Sequence, residues 1–460
     1  MRFILVFTLT FFGQLTGSAQ TETVFSLQEF IGMVKKNHPV VAQANLIISE
    51  GEAQLLRARG SFDPNLEIDY AQKQFENTEY YDNLNAVFKI PTWYGISLKS
   101  NYELNSGNYV NPQNLTPEEG LLGIGISASL AKDLLINKRM ATLKQAKLFK
   151  EQSVIDSQIA INNIIFEAVN TYFNWLKNYK TKQLLASYVS NSEIRFKNIK
   201  TAHFAGELPA IDTTEAKIIF NNRKLMYEKA ELDYLKTTLE LSNYLWLNNL
   251  PLEINSKAQP DLETENSIDE LLQINRDYDP SLSWHPKLQS LDLKRNYLDL
   301  ERKLMQNNLL PQINLDYQFL NNSTAPISQL NTSNIKSSLK VKFPIFLRKE
   351  RAEVKLSRFK LQDIDYEKKL QTLSINNKIT ASKNTINSYY NQRKIAQNII
   401  SDYKVLLSGE ERKFELGESS LFIINSREAK LIESQVKDII LENKLLGAKS
   451  ELYKIRSLIF

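Results

Sequence analysis

The chain repeats itself. His38-Pro39 and His285-Pro286 lie 247 positions apart, and the same offset lays Pro64 on Pro311, Asp69 on Asp316 and Tyr70 on Tyr317 without a gap. Each copy reads as a helix that starts at the His-Pro pair, a proline that stops it, and an alternating strand. By the usual length prior 460 residues suggest about three average domains. A duplication of this size predicts instead two interlocked halves, an internal two-fold repeat.

What separates the repeated motifs is helix. Glycine and proline are scarce, at 14 and 13. Neither occurs from Lys138 to His203, nor over a similar stretch from Arg348 to Ser408. At 1.5 Å per residue such runs make rods of roughly 90–100 Å. No compact domain holds them, so they must pack on one another lengthwise. The return helices carry the packing code. Leu225, Leu232, Leu239 and Trp246 recur every seven residues, as do Ile432, Ile439, Leu446 and Tyr453. A strict seven-residue repeat keeps one seam against a neighbour and imposes a left-handed supercoil, so both seams are expected to be buried. Glycines mark the turns between rods, at Phe204-Ala205-Gly206-Glu207 and Leu416-Gly417-Glu418, where left-handed C-terminal caps are expected.

The strands alternate with period two. Leu66, Ile68 and Tyr70 interleave with Glu67 and Asp69, Ile313 to Phe319 behave likewise, and so do Ile124 to Leu130 and Leu339 to Phe343. One face therefore meets apolar surroundings and the other water, which fits either a soluble sheet or a membrane barrel with a wet lumen. The first half is longer between matched landmarks: Pro64 to Leu135 spans 71 residues and Pro311 to Leu347 spans 36. The surplus holds a further hairpin around Pro91-Thr92-Trp93-Tyr94-Gly95. Its first arm, read as residues 84–90, is short for a membrane strand of about 9–11 residues. It is expected to project from the rim, with Trp93 and Tyr94 as interfacial anchors.

Other features set the address and narrow the chemistry. Arg2, the apolar run Phe3–Phe12 and the small residues Gly17-Ser18-Ala19 read as a signal peptide over residues 1–19. Residues 20–250 form the first repeat, 251–283 an irregular linker containing a short helix near Ser267–Leu272, and 284–460 the second repeat. Ser26 and Glu29 form a capping-box pattern for a first short helix. There is no cysteine, which excludes disulfides, thiol catalysis and cysteine-zinc sites. The net charge of +5, spread over the whole chain, is no nucleic-acid footprint. His38 and His285 precede prolines, where a cap or turn role outweighs metal binding, and His203 stands alone with solvent expected around it. No phosphate loop, nucleophile elbow or zinc-binding helix is present, so no enzyme, cofactor, metal site or catalytic residue is expected.

Taken together, the paired His-Pro helices, the strand pairs and the glycine-centred turns in Phe204–Lys217 and Phe414–Lys430 resemble the TolC-like outer-membrane efflux family. The segment Gly417-Glu418-Ser419-Ser420-Leu421-Phe422 looks particularly like that family's second hairpin tip. The resemblance implies an α+β membrane protein with long antiparallel helical hairpins, whose transmembrane strands, four per subunit, join a barrel shared by a homotrimer. It implies a passive, gated exit duct of a tripartite efflux or type I secretion system. The duct would sit in the outer membrane lipid and extend into the periplasm. Its partners would be a periplasmic membrane-fusion adaptor and a proton-driven or ATP-driven inner-membrane transporter. Independently, four strands cannot close a membrane barrel alone, since the smallest have about 8.

The family carries acidic residues beyond its second-tip glycine, but the corresponding positions here are Ile423 and Ser426. The same count from Gly206 reaches Asp212 and Glu215, which makes them candidates for a cation-favouring constriction. The competing reading is that they merely favour a helix N-terminus. Asn425, Arg427 and Glu428 are further candidates for a gating network. Adaptor docking would fall on the exposed tip residues Ala205, Gly206, Glu207 and Leu208, and on Leu416, Gly417, Glu418, Ser419 and Ser420. Two other classes compete: an elongated exported coiled-coil structural protein, and a periplasmic adaptor subunit. The first leaves the strand pairs unexplained; the second commonly has one hairpin per chain.

Overall fold

A computed structural model describes residues 24–254, 258–271, 282–322 and 331–456. The signal peptide at 1–19 and Leu272 of the short linker helix lie outside the described residues. The chain divides into two compact units, and each draws on both halves of the sequence. One comprises 1–38, 165–275 and 384–451; the other comprises 39–164, 276–383 and 452–460.

The first unit begins with strand β1 (Val24–Phe25) and helix α1 (Leu27–Asn37). The expected capping box is present: the Ser26 hydroxyl accepts from Glu29 N–H while the Glu29 carboxylate returns to the Ser26 backbone. Phe30 and Val34 from α1 are fully buried with Tyr172 and Trp175, which lie on the 67-residue helix α3 (Lys138–Phe204). The Tyr172 hydroxyl donates to Phe25 O at 2.7 Å and accepts from Asp261 N–H at 3.1 Å. Burial holds this phenol well above its ordinary range, at about 12, so it stays neutral. Helix α4 (Ala210–Ser242) contributes Thr238, whose hydroxyl accepts from the Trp175 indole at 3.0 Å.

Beyond α4, a short hairpin pairs Trp246–Leu247 (β6) with Leu250–Pro251 (β7), and β8 (Gln259–Pro260) runs parallel to β1. Helix α5 spans Thr264–Leu271. It starts earlier than expected, so Ser267 lies inside it and is not its cap; its hydroxyl bonds back to Thr264 O at 3.3 Å. Glu265 and Asp269 of α5 pair with Arg393 and Lys449. Arg393 lies on α7 (Arg348–Glu415) and Lys449 on α8 (Leu421–Arg456). Helix α7 runs through Gly409 to end at Glu415, just before the expected glycine turn. The cost of a helical glycine, about 1 kcal/mol, is small beside the packing of a 68-residue rod.

The second unit holds α2 (Pro39–Arg59) and α6 (Pro286–Asn307), each starting at its His-Pro proline. His38 ends α1 and His285 caps α6, as expected of structural histidines. The His285 Nδ1 accepts from Lys287 N–H at 3.1 Å, so Nε2 carries the proton that it donates to Ile455 O at 2.9 Å. This unit also holds one antiparallel sheet of six strands: β2 (Asn65–Phe75), β3 (Thr78–Pro91), β4 (Ile96–Ser106), β5 (Leu121–Ser129), β9 (Gln312–Asn322) and β10 (Ile335–Lys342). The strand order is β10-β9-β5-β4-β3-β2.

The sheet corrects two expectations. The surplus hairpin does not project from a rim. Its arms are β3 and β4, inserted between β2 and β5 and paired with both. The described chain therefore offers six strands to the sheet rather than four. The first arm is longer than its apolar alternation suggests, because Thr78–Asn83 lacks that alternation while the ladder extends the strand to 14 residues. A β-ladder needs only backbone partners, so pairing lengthens strands where side chains give no apolar signal.

Candidate functional site

The two helical hairpins turn on matching backbone geometry. Gly206 and Gly417 adopt φ of +83° and +76°. In each turn the glycine N–H and the next N–H close back on the helix, Gly206 to His203 O and Glu207 to Ala202 O, Gly417 to Phe414 O and Glu418 to Lys413 O, all at 2.9–3.0 Å. These are Schellman caps, and a residue with a Cβ at either position would meet the left-handed penalty. His203 is not simply solvated: its Nδ1 donates to Leu208 O at 2.9 Å and helps close the first turn. Ile199, Ala216 and Leu421 pack as one buried cluster with Phe196, Leu208 and Phe414 around it, so the two tips share a small apolar core. Leu208 is accordingly half-buried rather than exposed. Ala205, Gly206, Glu207, Leu416, Gly417, Glu418 and Ser420 are exposed, and Ser419 is half-buried.

Behind the tips lies a charged network linking four helices. Glu428 on α8 is 2% exposed and receives Arg223 from α4 at 3.2 Å and Arg195 from α3 at 3.1 Å. Arg223 is itself only 6% exposed. Arg195 also reaches Glu411 of α7 at 3.5 Å and the Asn425 side-chain oxygen at 3.5 Å. The Asn425 amide donates to Glu215 at 3.0 Å. One buried carboxylate thus balances two guanidiniums, a second carboxylate shares one of them, and a buried amide bridges to a third. Buried charges persist only when paired and hydrogen-bonded in this manner. Separating α4 from α8 by one side-chain length would strand Arg223 without its anion.

Of the residues singled out from the sequence, Glu215, Asn425 and Glu428 come together here. Asp212 does not join them: it lies in the first turn of α4, where a negative charge suits the helix dipole. Arg427 is also outside the network, with its Nε buried and without a hydrogen-bond partner. Arg195, Arg223 and Glu411 were missed, because charges within a long helix read as its solvated face. One signal was available. Arg195 precedes Gly206 by 11 residues and Glu428 follows Gly417 by 11, which sets both at one level when the hairpins align.

With its antiparallel sheet and its long helical hairpins closed on glycine caps, the chain has the fold of the TolC-like outer-membrane channels. Solved structures carry the particulars. The chain matches the CmeC outer membrane channel of Campylobacter jejuni at TM-score 0.64 and 14% identity, covering 94% of this chain and 85% of that one. A membrane protein from Pseudomonas aeruginosa matches at TM-score 0.68 and 13% identity, with 95% and 93% covered. The MtrE outer membrane channel of Neisseria gonorrhoeae, in its open state, matches at 0.64 and 13%, with 94% and 88% covered. No family model and no curated protein sequence matches the chain.

Proposed function

We propose that this chain is one of three identical subunits of a passive outer-membrane exit duct. The single observation that carries this reading is the sheet of six strands whose edges, β2 and β10, pair with no further strand among the described residues, set in a fold shared with outer membrane channels. An open edge cannot face hydrocarbon, because each unsatisfied backbone group costs several kcal/mol there. Further copies of the same sheet satisfy both edges, and closure into a ring abolishes them. The duct does no chemistry of its own. A periplasmic adaptor docks on the tip residues 205–207 and 416–420, all exposed but the half-buried Ser419, and an inner-membrane transporter supplies the energy, in a tripartite efflux or type I secretion assembly.

The network around Glu428 is the closing latch of this duct. It holds α3, α4, α7 and α8 together at the tips, and opening requires those ion pairs to part. Glu215 and Asn425 belong to the latch, while Asp212 supplies carboxylates near the opening. The test is to purify the protein from membranes in mild detergent, measure its mass, and record currents in planar bilayers. A trimer with rare openings, made frequent by Glu428→Gln, is the expected result. A monomer that leaves the bilayer sealed overturns the reading.

A further inference from the structure

The inserted hairpin β3–β4 is a full part of the sheet by pairing, by face and by curvature. Directly opposed residues of an antiparallel sheet share a face. One such row runs Asn65, Lys89, Lys99, Gly125, Gln318, Lys336 across all six strands and is polar but for one glycine. The adjacent row runs Leu66, Phe88, Ser100, Ile124, Phe319, Ile335 and is apolar but for one serine. Leu84, Ala86 and Ile90 of β3 and Ile96, Leu98 and Leu104 of β4 extend the same apolar face. A hairpin standing in water would have no reason to keep this sidedness in step with its neighbours.

The curvature agrees. The Lys336 ammonium of β10 bonds the Glu103 carboxylate of β4 at 2.8 Å, reaching across β5 and β9 on the polar face. On a flat sheet those strands stand about 14 Å apart. The sheet therefore curls toward its polar side, and Asn101, Ser97 and Gln318 are buried in the concavity. Gly123 and Gly125 keep this inner face clear, since a Cβ on the first would strike the Asn101 side chain and on the second the Tyr317 carbonyl. Large apolar residues on the convex face are exposed: Leu66, Ile68, Phe88, Leu98, Leu339 and Val341.

We infer that each copy contributes six staves to the membrane barrel, so that three copies close a barrel of 18 strands (3 × 6) rather than 12. This rests on the three-copy duct proposed above. At about 4.8 Å between strands and a tilt near 45°, the backbone diameter rises from roughly 26 Å to roughly 39 Å. That is the size class whose interior is an aqueous channel rather than a packed core. The outer-membrane section then imposes little size selection. It passes bulky solutes, including polypeptide segments with side-chain structure, and any sieving falls to the latch.

The test is electron cryo-microscopy of the full chain in lipid nanodiscs, counting strands inside the lipid belt. Eighteen strands, with residues 78–106 within the belt between β2 and β5, support the inference. Twelve strands with residues 78–106 outside the belt overturn it and leave the duct standing. Six strands per copy in a ring of other than three copies support the six-stave unit and overturn the trimer. A protein that forms no membrane ring overturns both. Deleting residues 78–106 leaves β2 antiparallel to β5 and joined to it through 76–77 and 107–120, which would rebuild a narrower ring. Polymers added on the barrel side, ahead of the latch, are expected to meet a cross-section roughly twofold smaller than in the full chain; an unchanged polymer cutoff on that side counts against the inference. If the deleted chain does not insert, entry of graded polymers into the full chain from the barrel side, ahead of the latch, decides, with exclusion there at the cutoff of a narrow pore overturning it.

Discussion

Helices α4 and α8 carry the same seven-residue arithmetic and meet opposite fates. On α8, Ile432 and Leu446 are each 1% exposed. On α4, Leu225, Leu232 and Leu239 are 70%, 52% and 63% exposed. The expectation that both seams are buried holds within one chain only for α8. Periodicity states that a helix has a seam; it does not state which chain covers it. The seam of α8 is closed by the chain itself: Ile432 packs with Leu185, Tyr188 and Ala230. The seam of α4 is left for another copy under the proposed assembly.

The sharpest probe of this contrast is the charge that joins the two helices. Glu428→Ala leaves Arg223 buried without its anion and should cost about 3–5 kcal/mol in chemical denaturation. Replacing both partners by apolar residues of similar size should recover most of that loss. If Glu428→Ala costs no more than a surface change, the two helices are not held by this pair. Next comes a matched truncation. Ile432→Ala on α8 should destabilise the chain by about 2–5 kcal/mol. Leu232→Ala on α4 should change the dissociated chain by less than about 0.5 kcal/mol, yet weaken association, since each seam leucine buried by a neighbour is worth about 1.5–3 kcal/mol. Equal losses at both positions in the separated chain would break the comparison.

Smaller effects sharpen it. Gly206→Ala and Gly417→Ala each force a side chain into left-handed geometry, at about 1–2 kcal/mol. Because the two caps are built alike, calorimetry should find similar losses; a difference would show that one tip relaxes and the other does not. The smallest expected effect is that of acid. Burial lowers the pKa of both His38 and His285 below the ordinary value of 6.5. The folded chain keeps these rings neutral while the unfolded chain protonates them, so their contribution is intact above pH 6.5 and is lost as pH falls through their lowered values. Thermal unfolding followed from pH 7.5 to 5 should show the native chain losing more stability than His38→Gln; parallel curves would remove His38 from this account.

Much of the architecture was legible in the sequence because it is written in periods. The proline-free runs became α3 and α7, the His-Pro pairs became the starts of α2 and α6, and the glycine turns became Schellman caps. What escaped depends on depth and pairing rather than on period. The polar start of β3 joins the ladder through its backbone, which no side-chain alternation announces. Arg195 and Arg223 look like two among many solvent-facing cations until the packing of α3, α4 and α8 encloses them with Glu428. Asp212 lies outside that network, in the first turn of α4. Leu208, expected at the surface, turns inward because Ile199, Ala216 and Leu421 leave a place for it.

The twin caps at Gly206 and Gly417 have a consequence for how such a protein can change its company. The outline of each bend is drawn by main-chain atoms and one missing Cβ. The residues that follow, Glu207 and Glu418, close the bend with their backbone N–H groups and leave their side chains exposed. Evolution or an engineer can therefore respell those two side chains, and under the proposed assembly change what docks there, while the bends keep their form.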